Sequence, residues 1–435
     1  MARRARVTAL DTTPSRWRSY VVLACIVLAG EAIFSLPFHV PRFFRPTVLQ
    51  TLGLTNAALG DAFAVYGLTA MASYLPGGWL ADRWSARRLL SASLLATAGG
   101  GFYFATLPSI QGLTWLYAYW GATTILLFWA AMIRATRDWG GALRQGQAFG
   151  VLEGGRGLVA AASASIAVGV LAQALGGATD LTALRADALR AVIYFYTAVT
   201  LLAALLCWWF IPDAAPSQAS ASAKGEAWWR GLGNVSLWLQ AGVVVAAYCG
   251  YKGLDNYALY AVSAFGLDEV AAAAFLAKAA WLRPVAALAA GLLADRVRPS
   301  ITLVGIFLLA AASVAVLAGT APSPMLRGVL MANVLLSVAA VYALRGVYFT
   351  LMEESGVPSS RTGAAVGLVS VVGFTPDVFF APIAGRLLDA HPGVVGQQQY
   401  FALLTGIALV GAVLATALAL RLRASRLTPP VGGTP

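Results

Sequence analysis

Long apolar runs alternate with short polar stretches along the whole chain. They fall at roughly 19–39, 57–80, 89–107, 112–134, 147–174, 190–211, 235–262, 270–293, 300–319, 325–352, 364–388 and 399–421. A helix needs about 20 predominantly apolar residues to span a bilayer. The pattern therefore predicts an all-α integral membrane protein with about twelve transmembrane helices.

The chain also repeats itself. Gly78-Trp79-Leu80-Ala81-Asp82-Arg83 closes the second run, and Gly291-Leu292-Leu293-Ala294-Asp295-Arg296 closes the eighth, 213 residues later. Gly53-Leu54-Thr55 precedes the second run, and Gly266-Leu267-Asp268 precedes the eighth at the same offset. A repeat of nearly half the chain predicts two pseudo-symmetric six-helix bundles. The expected boundaries are 1–211 for the first bundle, 212–234 for a linker and 235–435 for the second bundle with a short tail. The linker's Ala/Ser/Pro run at 214–223 carries no fold signal. Trp228 and Trp229 suggest an interfacial turn or short amphipathic helix within it.

Composition agrees with a lipid environment: 59% of residues are hydrophobic and only 11% charged, against about 25% charged in soluble domains. The net charge of +12 fits Lys and Arg held on cytoplasmic loops better than it fits a nucleic-acid partner. Arg83, Arg87, Arg88, Arg137, Arg144, Arg296 and Arg298 sit on loops of one side, together with both basic ends of the chain. The other side holds few, such as Arg42, Arg45, Arg185 and Arg386. Both termini are accordingly expected in the cytoplasm and the protein in the plasma or inner membrane, with the first run acting as an uncleaved signal anchor. Cys25, Cys207 and Cys249 all lie in apolar runs, so neither a disulfide framework nor a metal cluster is suggested. No cofactor is expected.

The string G-x-L-A-D-R followed by Arg87 and Arg88, set between two apolar segments, resembles the loop signature of the major facilitator superfamily. That family usually carries Gly where this chain has Ser85 or Ala86. The second copy is degraded after Arg296, reading Val297-Arg298-Pro299. The resemblance covers nearly the whole chain and implies a monomeric secondary transporter, not an enzyme. It implies a cytoplasmic gating latch around Asp82, Arg83, Asp295 and Arg296, with Arg134 and Arg345 as partners on the fourth and tenth helices. It also implies that the first and seventh helices line a central cavity.

Ionisable groups inside a membrane are costly and default to functional hypotheses. The substrate-binding candidates are His39, Lys252, Lys278 and Arg283, with Tyr251, Asn256 and Tyr257 on the seventh helix. His39 and Lys252 occupy equivalent repeat positions, as do Arg42 and Asp255. Lys252 can instead snorkel and pair with Asp255 at i+3. Arg283 cannot deprotonate and needs an anion, either the substrate or a protein acid among Asp255, Asp377 and Glu31. Pro284 restricts it toward non-helical conformations. An isolated carboxyl in an apolar interior favours its protonated form, which makes Glu31 the first candidate for proton coupling, ahead of Asp377 and Glu153. Glu153 can also satisfy itself with Arg156 at i+3.

No P-loop is present, so energy must come from a gradient or an exchanged solute. The slight excess of buried bases predicts a small anionic organic solute, such as a carboxylate, phosphate ester or sulfonate; the helix content, the repeat and the latch that the resemblance implies predict movement by alternating access with proton coupling, as symport or antiport, or by exchange. The layout is similar to the organic-anion and sugar-phosphate branches of the superfamily. A multidrug/proton antiporter is the alternative, weakened because 147–174 lacks the proline of the family's Gly-Pro-rich fifth-helix motif. A sugar porter is disfavoured because the motif expected after the sixth helix is present only as Pro212-Asp213. A membrane receptor that binds without transporting is the remaining alternative.

Overall fold

The computed structural model describes residues 16–141, 145–176, 181–213, 234–354 and 369–427. Among the described residues twelve helical segments follow one another along the chain, nine of them long and apolar enough to cross a membrane. They are α1 (Trp17–Phe43), α2 (Asn56–Ala81), α3 (Ala86–Phe104), α4 (Ile110–Gly140), α5 (Gln145–Leu175) and α6 (Leu181–Phe210) in the first half. The second half holds α7 (235–265), α8 (Glu269–Val297), α9 (Pro299–Gly319), α10 (Arg327–Val347, continued in short turns to Glu354), α11 (Val369–Ala390) and α12 (Val394–Leu427). Among the described residues there is no strand. An even number of crossings brings the start of α1 and the end of α12 to one face, called here the terminal face. Residues 214–233 of the expected linker, with Trp228 and Trp229, and positions 364–368 of the expected eleventh helix lie outside the described residues.

The repeat is visible in the backbone. Gly53 and Gly266 both end a helix in the left-handed conformation, each with φ 61°, where a Cβ is disfavoured. Two residues on, Thr55 and Asp268 cap α2 and α8 by accepting from the N–H groups of Ala58 and Ala271. A short helix, Arg45–Leu52, precedes Gly53; its polar Arg45, Thr47, Gln50 and Thr51 hide it from an apolar-run reading.

Two breaks bear on the middle of the molecule. Pro37 has no N–H to donate, and the turn Ser35–His39 widens to a π-helix, a feature common at functional sites. The wider turn rotates the end of α1 and carries His39 over Glu31. In α8 the ladder breaks at Trp281, between Ala280 and Leu282. Pro284 explains this, since it cannot donate to the carbonyl four residues earlier. Arg283, expected to resist helix, instead lies in the first turn of the restarted helix.

The halves meet closely at the face opposite the termini. Gly60 and Gly67 of α2 pack on α11 so tightly that an added Cβ would stand 2.5 Å from the Ala381 oxygen and 2.6 Å from the Asp377 oxygen. Beyond them Arg386 pairs with Asp61 at 2.8 Å. Asp389 accepts from the N–H of Asn56 at 3.1 Å and of Ala57 at 2.7 Å, capping α2 from across the interface. Glu269 accepts from Thr47 and pairs with Arg185. The remaining hydrogen bonds and ion pairs seen between the halves, such as Arg42 to Asp255, Trp281 to Ser165 and Arg283 to Glu31, lie at mid-molecule or on this side of it.

Candidate functional site

The intramembrane charges gather between the halves. Glu31 of α1, 2% exposed, accepts from Arg156 Nε of α5 at 3.0 Å and from Arg283 Nη1 of α8 at 2.8 Å. His39 Nε2 stands 3.2 Å from the same carboxylate, while its Nδ1 meets the Ser35 hydroxyl at 3.4 Å. Glu31 is thus not the isolated acid expected from the sequence. It is an ionised hub, since two fixed cations hold its two oxygens. Gly30 and Gly157 make room for these guanidinium stems, for a Cβ at either would press on Arg156 or Arg283.

Glu153, one turn before Arg156, binds it through Oε1 at 2.7 Å. Its Oε2 is 3.6 Å from Arg283 Nη2 and 4.0 Å from Arg345 Nε. A second set lies beside the first. Arg42 Nε donates to Asp255 at 2.5 Å, Lys252 lies 3.6 Å from Asp255 and 3.3 Å from Asp377, and the Tyr248 hydroxyl meets both Asp377 oxygens at 3.1 Å. Lys252 also faces the Phe38 ring at 4.1 Å, a favourable cation–π contact. Tyr251 joins the two sets, since the guanidinium groups of Arg42 and Arg345 both lie 4.3 Å from its ring.

The cluster holds five cations, Arg42, Arg156, Lys252, Arg283 and Arg345, against four carboxylates, Glu31, Glu153, Asp255 and Asp377. The surplus falls at one place. Nε and Nη1 of Arg345 and Nη2 of Arg283 are buried and make no hydrogen bond among the described residues.

Several expected site residues stand elsewhere. Lys278 is exposed on α8. It precedes Arg283 by five residues, about 140° around a helix, so the two cannot share a face. Asn256 donates to Tyr400, and the Tyr257 hydroxyl accepts from Ser337; both are buried inside the second half. Arg345 does not reach Asp295. It lies nine residues before Glu354, roughly 14 Å at 1.5 Å per residue, which brings it to the central cluster. Arg134 donates to the Trp84 carbonyl at 2.7 Å, not to Asp82. Arg83 stacks on Trp79 of its own helix, and Asp82, Asp295 and Arg296 are exposed. Among the described residues no ion pair joins this loop to the other half.

Arg42, Arg156 and Tyr248 are members of the site that apolar runs and charge alone do not single out as substrate residues. For Arg42 a signal exists. It and Asp255 are 213 residues apart, hence repeat equivalents, and equivalent residues near a two-fold axis face each other.

At the terminal face Arg87 and Arg88 bind Asp213, where the linker begins, at 3.2 and 3.0 Å. The Ser85 hydroxyl and these two guanidinium groups hold the Asp213 carboxyl below the usual carboxylate range.

The family model described as Major Facilitator Superfamily matches residues 21–380. Inner membrane protein YihN of Escherichia coli is 25% identical over 414 residues, covering 93% of this chain and 96% of the relative. Inner membrane protein YqcE of the same organism is 26% identical, covering 92% and 93%. Among solved structures, a bacterial homolog of the human lysosomal transporter Spinster, in an inward-facing and unoccupied conformation, superposes with a TM-score of 0.73 at 15% identity, covering 95% of this chain and 99% of that one.

Proposed function

The chain belongs to the major facilitator superfamily, and from that premise we propose that it is a secondary carrier moving a small organic anion across the inner membrane by alternating access. The observation that carries the anionic part is the set of guanidinium nitrogens of Arg345 and Arg283 that make no hydrogen bond among the described residues. Arginine does not lose its proton, and a buried donor without a partner costs about 1–3 kcal/mol. The oxygens of an anionic group supply the acceptors these nitrogens lack, in charge-assisted hydrogen bonds. Tyr248 and Tyr251 add ring faces and a hydroxyl beside it. Lys278, Asn256 and Tyr257 have no part in this site.

Alternating access rests on the family and the repeat. The polar links between the halves lie at mid-molecule and toward the face opposite the termini, which fits a state closed at that face. The loop carrying Asp82, Arg83, Asp295 and Arg296, free of cross-half ion pairs among the described residues, acquires them when the halves rock the other way. The bias of Arg and Lys to the terminal face makes that face cytoplasmic.

A thermal-shift screen with gluconate, glycerol 3-phosphate and isethionate samples a carboxylate, a phosphate ester and a sulfonate. A ligand present at a hundred times its Kd stabilises the folded state by about 2.7 kcal/mol, so at least one should raise the unfolding temperature. Indifference to all three would sink the anion assignment.

A further inference from the structure

Three carboxylates of the cluster are candidates for carrying a proton, and their surroundings separate them. Glu31 is buried, with a guanidinium on each oxygen. Asp377 is held by Lys252 and by both contacts of the Tyr248 hydroxyl. Glu153 differs, because its side chain is 46% exposed and only Oε1 is firmly bound, to Arg156. Its Oε2 hangs 3.6 Å from Arg283 Nη2 and 4.0 Å from Arg345 Nε, the same two groups with nitrogens that make no hydrogen bond among the described residues.

We infer that Glu153 is a built-in stand-in for the solute's anionic group, and that the solute binds together with a proton on Glu153. The inference rests on the anion-carrier reading above. An anionic oxygen placed on Arg283 and Arg345 must come within hydrogen-bonding distance of Glu153 Oε2. With Glu31 already paired to Arg156 and Arg283, a further ionised oxygen set against an ionised Glu153 is disfavoured. One proton resolves the conflict, because the Glu153 hydroxyl then donates to the solute's oxygen in a charge-assisted bond. The proton comes from the water that reaches the exposed face of Glu153 and leaves with the solute on the other side, giving one-to-one symport.

The groups facing Glu153 are Arg156 on its own helix, Glu31 on α1, Arg283 on α8, and Arg345 and Tyr348 on α10; Tyr251 on α7 lies against Arg345 instead. The arginines keep their charge at every working pH. His39 also touches the cluster, but it addresses Glu31, so a Glu153 variant separates the two.

The test uses the purified full-length protein with whichever of gluconate, glycerol 3-phosphate or isethionate stabilises it most. Proton uptake on adding that anion is read with a pH dye in weak buffer, and Kd is measured between pH 6 and 9. Wild type should take up about one proton per anion bound at alkaline pH, and its Kd should weaken by up to about tenfold per unit rise in pH. Glu153→Gln should bind with no added proton uptake and a flat Kd, and more tightly than wild type at pH 9. Its own anion titration serves as the blank for the phosphate ester. Wild-type binding without proton uptake overturns the inference and leaves the carrier reading standing. Proton uptake that persists in Glu153→Gln assigns the proton to another group and also overturns it. If no anion stabilises wild type, the carrier reading fails and this inference with it. Should the glutamine variant not fold, Glu153→Ala takes its place with the same two outcomes, and wild-type binding of gluconate or isethionate, which do not titrate in this range, without proton uptake still overturns the inference.

Discussion

Replacing Glu31 with glutamine preserves the shape of the side chain and removes the charge on which Arg156 and Arg283 converge. Two charge-assisted hydrogen bonds, 3.0 and 2.8 Å long, lose their ionised acceptor. Each is worth about 1.5–3 kcal/mol. Arg156 retains Glu153 at 2.7 Å, which offsets part of the loss, whereas Arg283 keeps only the distant Oε2 at 3.6 Å. Removing one partner of a buried pair typically costs about 3–5 kcal/mol, and that is the expected destabilisation. It is a large fraction of the roughly 5–15 kcal/mol that stabilises an ordinary fold. Tryptophan fluorescence during heating in detergent should therefore report a clearly lower transition for Glu31→Gln. Removing the stranded cation as well, in Glu31→Gln with Arg283→Gln, should return about 1–3 kcal/mol as coupling energy. Wild-type stability for Glu31→Gln, or a double variant as unstable as the sum of the singles, would refute the idea of an ionised hub.

Two further predictions concern the two faces. Asp389→Ala removes the carboxylate that caps α2 from across the interface. Loss of a cap costs about 0.5–2 kcal/mol, here only in the state closed at that face, so a cysteine placed at Asp61 should react several-fold faster with an impermeant reagent; an unchanged rate would contradict the gating role. At the terminal face Asp213 is held below its ordinary range, so its contribution is present above the unfolded carboxylate value, about 4, and is lost as pH falls through the lower folded value. The difference in unfolding temperature between wild type and Asp213→Asn should accordingly shrink from pH 7 toward pH 3, and a difference that grows in acid would contradict it.

The fold was legible because membrane helices announce themselves twice, by the length of their apolar runs and, in this chain, by a register of 213 residues that holds from Gly53 to Arg83. The members of the charge cluster were legible as well, since a charge within an apolar run is conspicuous. Their partners were not. Glu31 is 125 residues from Arg156 and 252 from Arg283, and only helix packing brings them together. Arg345 was misplaced at the latch because its depth depends on how far the tenth helix continues, and the turns as far as Glu354 leave it mid-molecule. Lys278 illustrates the opposite error, since depth made it a candidate while its angular position on α8, readable from the spacing to Arg283, points it away from the cluster.

The central claim is that a small organic anion crosses the membrane by way of Arg345 and Arg283. Its most direct measurement is counterflow of the stabilising anion, radiolabelled, into proteoliposomes that hold an excess of the same anion unlabelled. Wild type should accumulate label transiently, and Arg345→Gln should lose this almost completely, because a lost charge contact of about 2–5 kcal/mol weakens affinity by about 30-fold or more. Arg345→Lys should remain impaired, since a point charge does not replace a planar fork. Undiminished counterflow in a well-folded Arg345→Gln would contradict the account.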